Sequence, residues 1–219
     1  MLLISIAYYV VFFLITFWFS GLTNYKLEIG LELRNSALLR SLYLWGAFVL
    51  SSSFVYYNKY QFQFLKAPII PDWGTLLLLT ASFVLTIIMG IKAERLELDS
   101  FTKTCSMKYR TSKRRIVSFL IIRLIFLVVY ELFFRGILLY SAVYTLGITY
   151  GVLINIGLYT LVHFSAKPKV ILACIPFGLY LCGITIWLSS VWPAVVFHCT
   201  LALVGEGGFL LKFNNKGGR

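Results

Sequence analysis

Val129-Tyr130-Glu131-Leu132-Phe133-Phe134-Arg135-Gly136 sets a carboxylate and a guanidinium four residues apart inside a run that is otherwise apolar. A lone charge deep in lipid costs about 2.5–3.5 kcal/mol or more, so such a pair needs a reason. Positions i and i+4 share a helix face, so Glu131 and Arg135 neutralise each other and point inward from lipid. Downstream, the two histidines of the chain, His163 and His198, lie in hydrophobic runs of their own. Two histidines, a glutamate and an arginine on three candidate helices are the material of a buried polar site.

The composition points the same way. Hydrophobic residues make up 60% of the chain and charged residues 13%, with a mean hydropathy of +0.87. A soluble domain is nearer half apolar and about a quarter charged, so this is an integral membrane protein. A spanning helix needs about 20 mainly apolar residues. Seven stretches qualify: 2–22, 38–57, 75–91, 116–134, 147–163, 170–188 and 193–211. These runs are apolar at nearly every position and lack the alternation of a transmembrane barrel, which makes the fold class all-α, a polytopic transmembrane bundle of about seven spans. The first run has no basic n-region and no small-residue cleavage site, and it reads as a retained helix rather than a signal peptide.

A net charge of +12 invites a nucleic-acid reading, but the placement of the charges argues against it. With seven spans starting outside, sixteen of the twenty Lys and Arg residues fall in or beside 23–37, 92–115, the link at Lys167 and Lys169, and the tail after Leu211. The outer link 58–74 holds only Lys59 and Lys66, and Arg123 and Arg135 lie within a span. This is the positive-inside asymmetry, and it orients the chain with its N-terminus outside and its C-terminus cytoplasmic; the plasma membrane is the expected location. The cluster Lys108, Arg110, Lys113, Arg114 and Arg115 also suits anionic lipid headgroups; no nucleic-acid partner is expected. Cys105, Cys174, Cys182 and Cys199 form no CxxC or metal-finger spacing and read as free thiols.

Every intramembrane charge follows residue 115. The chain therefore reads as one membrane domain over 1–219, with scaffold spans and a basic cytoplasmic loop in 1–114 and the chemistry-bearing core in 115–212. The loop 92–115 carries interleaved acids and bases and suits a solvated or interfacial helix. Gly136, next to Arg135 in an apolar stretch too long for one crossing, predicts a kink or break, with the remainder along the interface and a cavity beside the arginine. Glu206 is flanked by Gly205, Gly207 and Gly208, which predicts close helix packing or a break in the last span.

Three motifs in order on three apolar segments carry a resemblance. They are Glu131-Leu-Phe-Phe-Arg135-Gly136, then Tyr159-Thr-Leu-Val-His163, then Phe177-Gly178-Leu179 with Ser190-Val-Trp192-Pro193-Ala-Val-Val-Phe-His198. Over roughly residues 115 to 205 the chain resembles the CAAX prenyl protease family, also called CPBP or Abi. The resemblance implies a glutamate-type intramembrane endopeptidase working without a required cofactor. The family pattern is a Glu-Glu-x-x-x-Arg helix, a Phe-x-x-x-His helix and a His-x-x-x-Asn helix. Carried over, Glu131 matches the second glutamate, Arg135 the arginine, His163 the first histidine and His198 the last. Tyr130 stands where the family has its water-activating first glutamate, Ala202 where it has the asparagine, and Tyr159 where it has phenylalanine.

The resemblance implies water attack on a scissile carbonyl, with His163 as base assisted by Glu131 and His198 donating to the oxyanion. The substrate would be a membrane-held peptide or protein tail. Because consecutive helical residues point about 100° apart, Glu131 does not simply replace the acid missing at position 130. The alternative is a catalytically impaired relative that binds a membrane peptide or a membrane protein partner. A zinc site is the other use of two histidines and a glutamate, but no HExxH spacing is present, and no metal or other cofactor is expected. Glu131 and Arg135 have a plainer use as a structural ion pair, and either histidine as a packing or interfacial residue.

Overall fold

A computed structural model of the chain describes residues 2–7, 9–11, 14, 63–69, 72–104, 112–163 and 168–216. Among these every regular element is helical. After a 3-10 turn at Gln63–Leu65 come α1 (Trp73–Thr104), α2 (Lys113–Glu131), a π-helical segment (Leu132–Leu138) and α3 (Leu139–Val162). Then follow α4 (Pro168–Trp187), α5 (Trp192–Ala202), a π-helical turn (Leu203–Gly207) and α6 (Gly208–Lys216). Among the described residues four stretches are long and apolar enough to cross a bilayer: Trp73–Leu96, Lys113–Val162, Pro168–Trp187 and Trp192–Lys212. The expected span 38–57 and most of 2–22 lie outside the described residues.

Local chemistry sets the ends. The Asp72 carboxylate accepts from the Thr75 N–H at 2.7 Å at the start of α1, and the Ser112 hydroxyl accepts from the Arg115 N–H at 3.3 Å at the start of α2. Pro193 stands in the first turn of α5, where its missing N–H has no partner to lose. Thr80, Ser82 and Thr86 on α1 donate to the carbonyls four residues earlier, so that hydroxyls inside a spanning helix are satisfied without water. α1 stays helical to Thr104, well into the stretch read from sequence as the loop 92–115.

The kink expected at Gly136 is replaced by a different solution. The chain does not break there; it runs through the π-helical segment directly into α3. The reversal comes at Gly147, with φ 84° and ψ 169°. It folds the 50-residue run Lys113–Val162 into two antiparallel arms. Across that hairpin the Asn155 amide donates to the Phe134 carbonyl at 2.7 Å, and the Tyr159 ring lies 5.8 Å from the Phe134 ring. Gly136 serves packing: a Cβ there would lie 2.7 Å from the Phe64 ring. The segment around Phe64 is itself tied to the α4–α5 turn, since its carbonyl accepts from the Val191 N–H at 2.9 Å and the Lys66 carbonyl accepts from the Ser190 hydroxyl at 2.7 Å.

The glycine cluster of the last span does bring backbones together. A Cβ on Gly90 of α1 would lie 2.8 Å from the Val204 Cβ, so the first and last described spans touch through bare backbone. The core runs through the π-helical segment, where residues 133–139 are all buried, while α1 leaves Leu77, Val84 and Leu85 exposed as a lipid-facing surface.

The backbone at Gly147 lies in a region that glycine alone adopts readily. Gly147→Ala should destabilise the protein by about 1–3 kcal/mol in detergent unfolding. Gly157→Ala, where an added Cβ meets nothing within 4 Å, should stay within about 0.5 kcal/mol of the parent.

Candidate functional site

Glu131 closes α2, and its carboxylate is completely buried. One oxygen lies 2.5 Å from Nδ1 of His198 on α5, and the other lies 3.4 Å from Nε of Arg135, one turn further along its own chain. The i, i+4 pair read from sequence thus forms, with a third member supplied by a different helix. The Arg135 guanidinium is also buried and stands 4.3 Å over the Tyr159 ring, a cation–π contact that holds it where few hydrogen-bond acceptors reach. Nη2 of Arg135 lies 3.6 Å from where a Gly178 Cβ would be, so the absence of a side chain on α4 makes room for the cation.

His163 caps α3 at the end of the hairpin nearest the start of α2. Its Nδ1 lies 3.0 Å from the Tyr159 carbonyl. A carbonyl only accepts, so Nδ1 carries the hydrogen, and in the neutral ring Nε2 is left as an acceptor. The same reasoning applies to His198: Nδ1–H donates to the Glu131 carboxylate and leaves Nε2 as a lone pair aimed away from it. A carboxylate behind an imidazole fixes its tautomer and stabilises the imidazolium that forms when the ring takes a proton.

Simple counting along the spans puts the two histidines at opposite faces of the membrane. In the folded chain both rings flank Tyr159, with centroids 5.1 Å away for His163 and 6.3 Å for His198. The turn Leu188–Val191, with Ser189 at φ 49°, leads into α5, which carries His198 against Glu131. The expected partnership of Glu131 with His163 is replaced: both oxygens of the carboxylate are directed to His198 and Arg135.

Tyr130 fills the middle of the site. Its ring packs 4.5 Å from Phe134, 5.8 Å from Phe126, 5.9 Å from His198 and 6.1 Å from Tyr159. Ala202, one turn after His198, belongs to the same apolar cluster. Sequence reasoning missed Asn155, whose amide holds the Phe134 carbonyl while its oxygen accepts from the Cys182 thiol at 3.2 Å. An asparagine in an otherwise apolar span was the available signal. It also missed that Arg123 and Glu206 answer each other. Nε of Arg123 lies 3.0 Å and Nη2 2.7 Å from the two Glu206 oxygens, a two-pronged pair between α2 and the π-helical turn. Among the described residues no three His, Cys, Asp or Glu side chains converge as metal ligands.

Removal of either member of the Glu131–Arg135 pair leaves the other buried without its opposite charge on the same helix. Glu131→Gln and Arg135→Met should each cost about 3–5 kcal/mol in unfolding, and the double variant should cost less than their sum by about 0.5–3 kcal/mol. Strict additivity of the two losses would show that the charges do not hold each other.

No curated protein and no solved structure matches the chain. Residues 112–204 match the family model described as Rce1-like, Type II CAAX prenyl endopeptidase Rce1-like. The match begins at the cap of α2 and ends in the π-helical turn, so it contains Glu131, Arg135, His163 and His198 together. The part of this helical membrane protein from Ser112 to Val204 is thus similar to the Rce1-like, type II CAAX prenyl endopeptidase family.

Proposed function

We propose that the chain is an intramembrane endopeptidase that cleaves a membrane-held peptide or lipidated protein tail. The observation that carries this reading is the 2.5 Å contact of the fully buried Glu131 with His198. Glu131 orients the ring and steadies its charge, and Nε2 of His198 takes the proton of a water as that water attacks the scissile carbonyl. His163, whose ring also packs against Tyr159 and keeps its own acceptor nitrogen, positions the water or passes the proton to the leaving amine. Arg135 holds the carboxylate in place and touches no substrate. Proton transfer of this kind contributes about 10²–10⁴-fold in rate, and water exclusion strengthens each contact. As in the family it resembles, the reaction needs no cofactor.

A second reading rests on Tyr130. Its buried ring packs against both His198 and Tyr159, which suits a chain that binds a membrane peptide or partner protein without cutting it.

The two readings separate in proteoliposomes with a prenylated, fluorogenic peptide ending in a CAAX sequence. The peptidase reading expects cleavage by the native chain, with losses of about 10²-fold or more in kcat for His198→Ala and Glu131→Gln. Cleavage unchanged by His198→Ala would end it. The binding reading expects a silent native chain that Tyr130→Glu switches on.

The exposed residues Lys92, Arg95, Lys113, Arg114, Arg115, Lys169 and Lys212 gather at one end of the helices, where α2 and α4 begin and α6 runs out. That end faces the cytoplasm under the positive-inside rule, and His163 stands on the same side, so the substrate approaches from within. In a cysteine-free background, Lys113→Cys should react with an impermeant thiol reagent only after permeabilisation, whereas Asp72→Cys should react in intact cells. The reverse pattern would invert the topology.

A further inference from the structure

Peptide hydrolysis needs more than a base: the carbonyl oxygen gains negative charge in the transition state, and a donor must meet it. In this site the usual candidates are already engaged or absent. The N–H of His163 is engaged by the Tyr159 carbonyl at 3.0 Å, and the N–H of His198 by Glu131 at 2.5 Å. Position 202, one helical turn beyond His198, is alanine and offers nothing. The Arg135 guanidinium lies behind Tyr159, 4.3 Å from the ring and packed toward Gly178, with no exposure. Two phenols stand beside the imidazoles, Tyr130 against His198 and Tyr159 against both rings.

Resting on the peptidase reading, we propose that the Tyr159 hydroxyl is the hydrogen-bond donor to the developing oxyanion. Tyr159 meets both histidine rings, and it is held from several sides at once. Phe134 stands edge-on at 5.8 Å, Arg135 lies over one face, and a Cβ on Gly178 would come within 3.1 Å of the ring, so α4 presents bare backbone to it. A donor so restrained is preorganised and needs no rearrangement when charge develops. Each of these packing contacts is made by the ring and would survive with phenylalanine. The hydroxyl is therefore an addition in a site only 2% exposed, where an idle polar group is a burden. The amide donor missing at Ala202 gives it a task. No bond to Tyr159 forms or breaks; the phenol donates its hydrogen bond as the tetrahedral centre forms and keeps its proton.

The test uses the full chain in proteoliposomes and the same prenylated CAAX peptide, with a ¹³C label on its scissile carbonyl. Tyr159→Phe should lower kcat about 10²–10³-fold, the usual loss for one oxyanion donor, with KM changed less than about twofold. Adding Ala202→Asn to Tyr159→Phe should restore at least tenfold of that loss. Equal kcat for Tyr159→Phe and the native chain, with both folded by thermal unfolding, overturns the proposal while leaving the peptidase reading intact. If the native chain binds the peptide without cutting it, the peptidase reading fails, and the infrared stretch of the labelled carbonyl decides the contact. A downshift in the native complex that Tyr159→Phe abolishes supports the donor, and an unchanged stretch overturns it. A native chain that neither cuts nor binds the peptide overturns both.

Discussion

A carboxylate that cannot reach water must be neutralised by whatever its neighbours bring to it, and Glu131 sets that condition for the whole C-terminal half. Arg135 answers from the same helix at 3.4 Å and His198 from α5 at 2.5 Å. Each partner then imposes its own demand. Arg135 requires a flat aromatic surface and a position on α4 without a side chain, which Tyr159 and Gly178 supply. His198 requires α5 to pack against the end of α2, and the turn at Ser189 leads into that helix. The register of the α2–α3 hairpin is pinned beside the same carboxylate by Asn155 on the Phe134 carbonyl. Loss of one buried partner in such an arrangement typically costs about 3–5 kcal/mol, comparable to a large share of a protein's net stability.

Much of this is written in local sequence. The i, i+4 spacing of Glu131 and Arg135 specifies a shared helix face, and the apolar runs specify helices, because both depend only on residues within a few turns. Gly136 marks irregular backbone correctly, but its form is a π-helical segment rather than a break. That outcome depends on Phe64, 72 positions earlier, whose ring takes the room a side chain would fill. The reversal at Gly147 has no local signature beyond one glycine in an apolar run. Which histidine meets Glu131 is decided by how α5 packs against α2, a tertiary property. Glu206, an acid in a glycine-rich stretch, gives no hint that its partner is Arg123 on α2.

The positions that depart from the resembled pattern all fall in one aromatic cluster. Tyr130 and Tyr159 pack against each other at 6.1 Å, and Ala202 joins the same cluster. An acid replaced by a phenol, a phenylalanine replaced by a phenol and an amide replaced by a methyl group amount to a redistribution of polar groups within one small volume. Fold leaves open whether that volume performs chemistry, since function resides in the placement of these few atoms.

The Arg123–Glu206 pair also bears on how the chain is made. The two residues lie 83 positions apart, and Glu206 arrives in the last span. A glutamate entering lipid alone is opposed by roughly 2.5–3.5 kcal/mol. Synthesis runs from N- to C-terminus, so α2 and its arginine are already in the membrane when Glu206 emerges, whereas Arg123 must wait for its acid. The interval between the two is a period in which the half-built bundle carries an unanswered positive charge on α2. Completion of the last helix discharges it, which makes closure of the bundle and insertion of its final segment a single event.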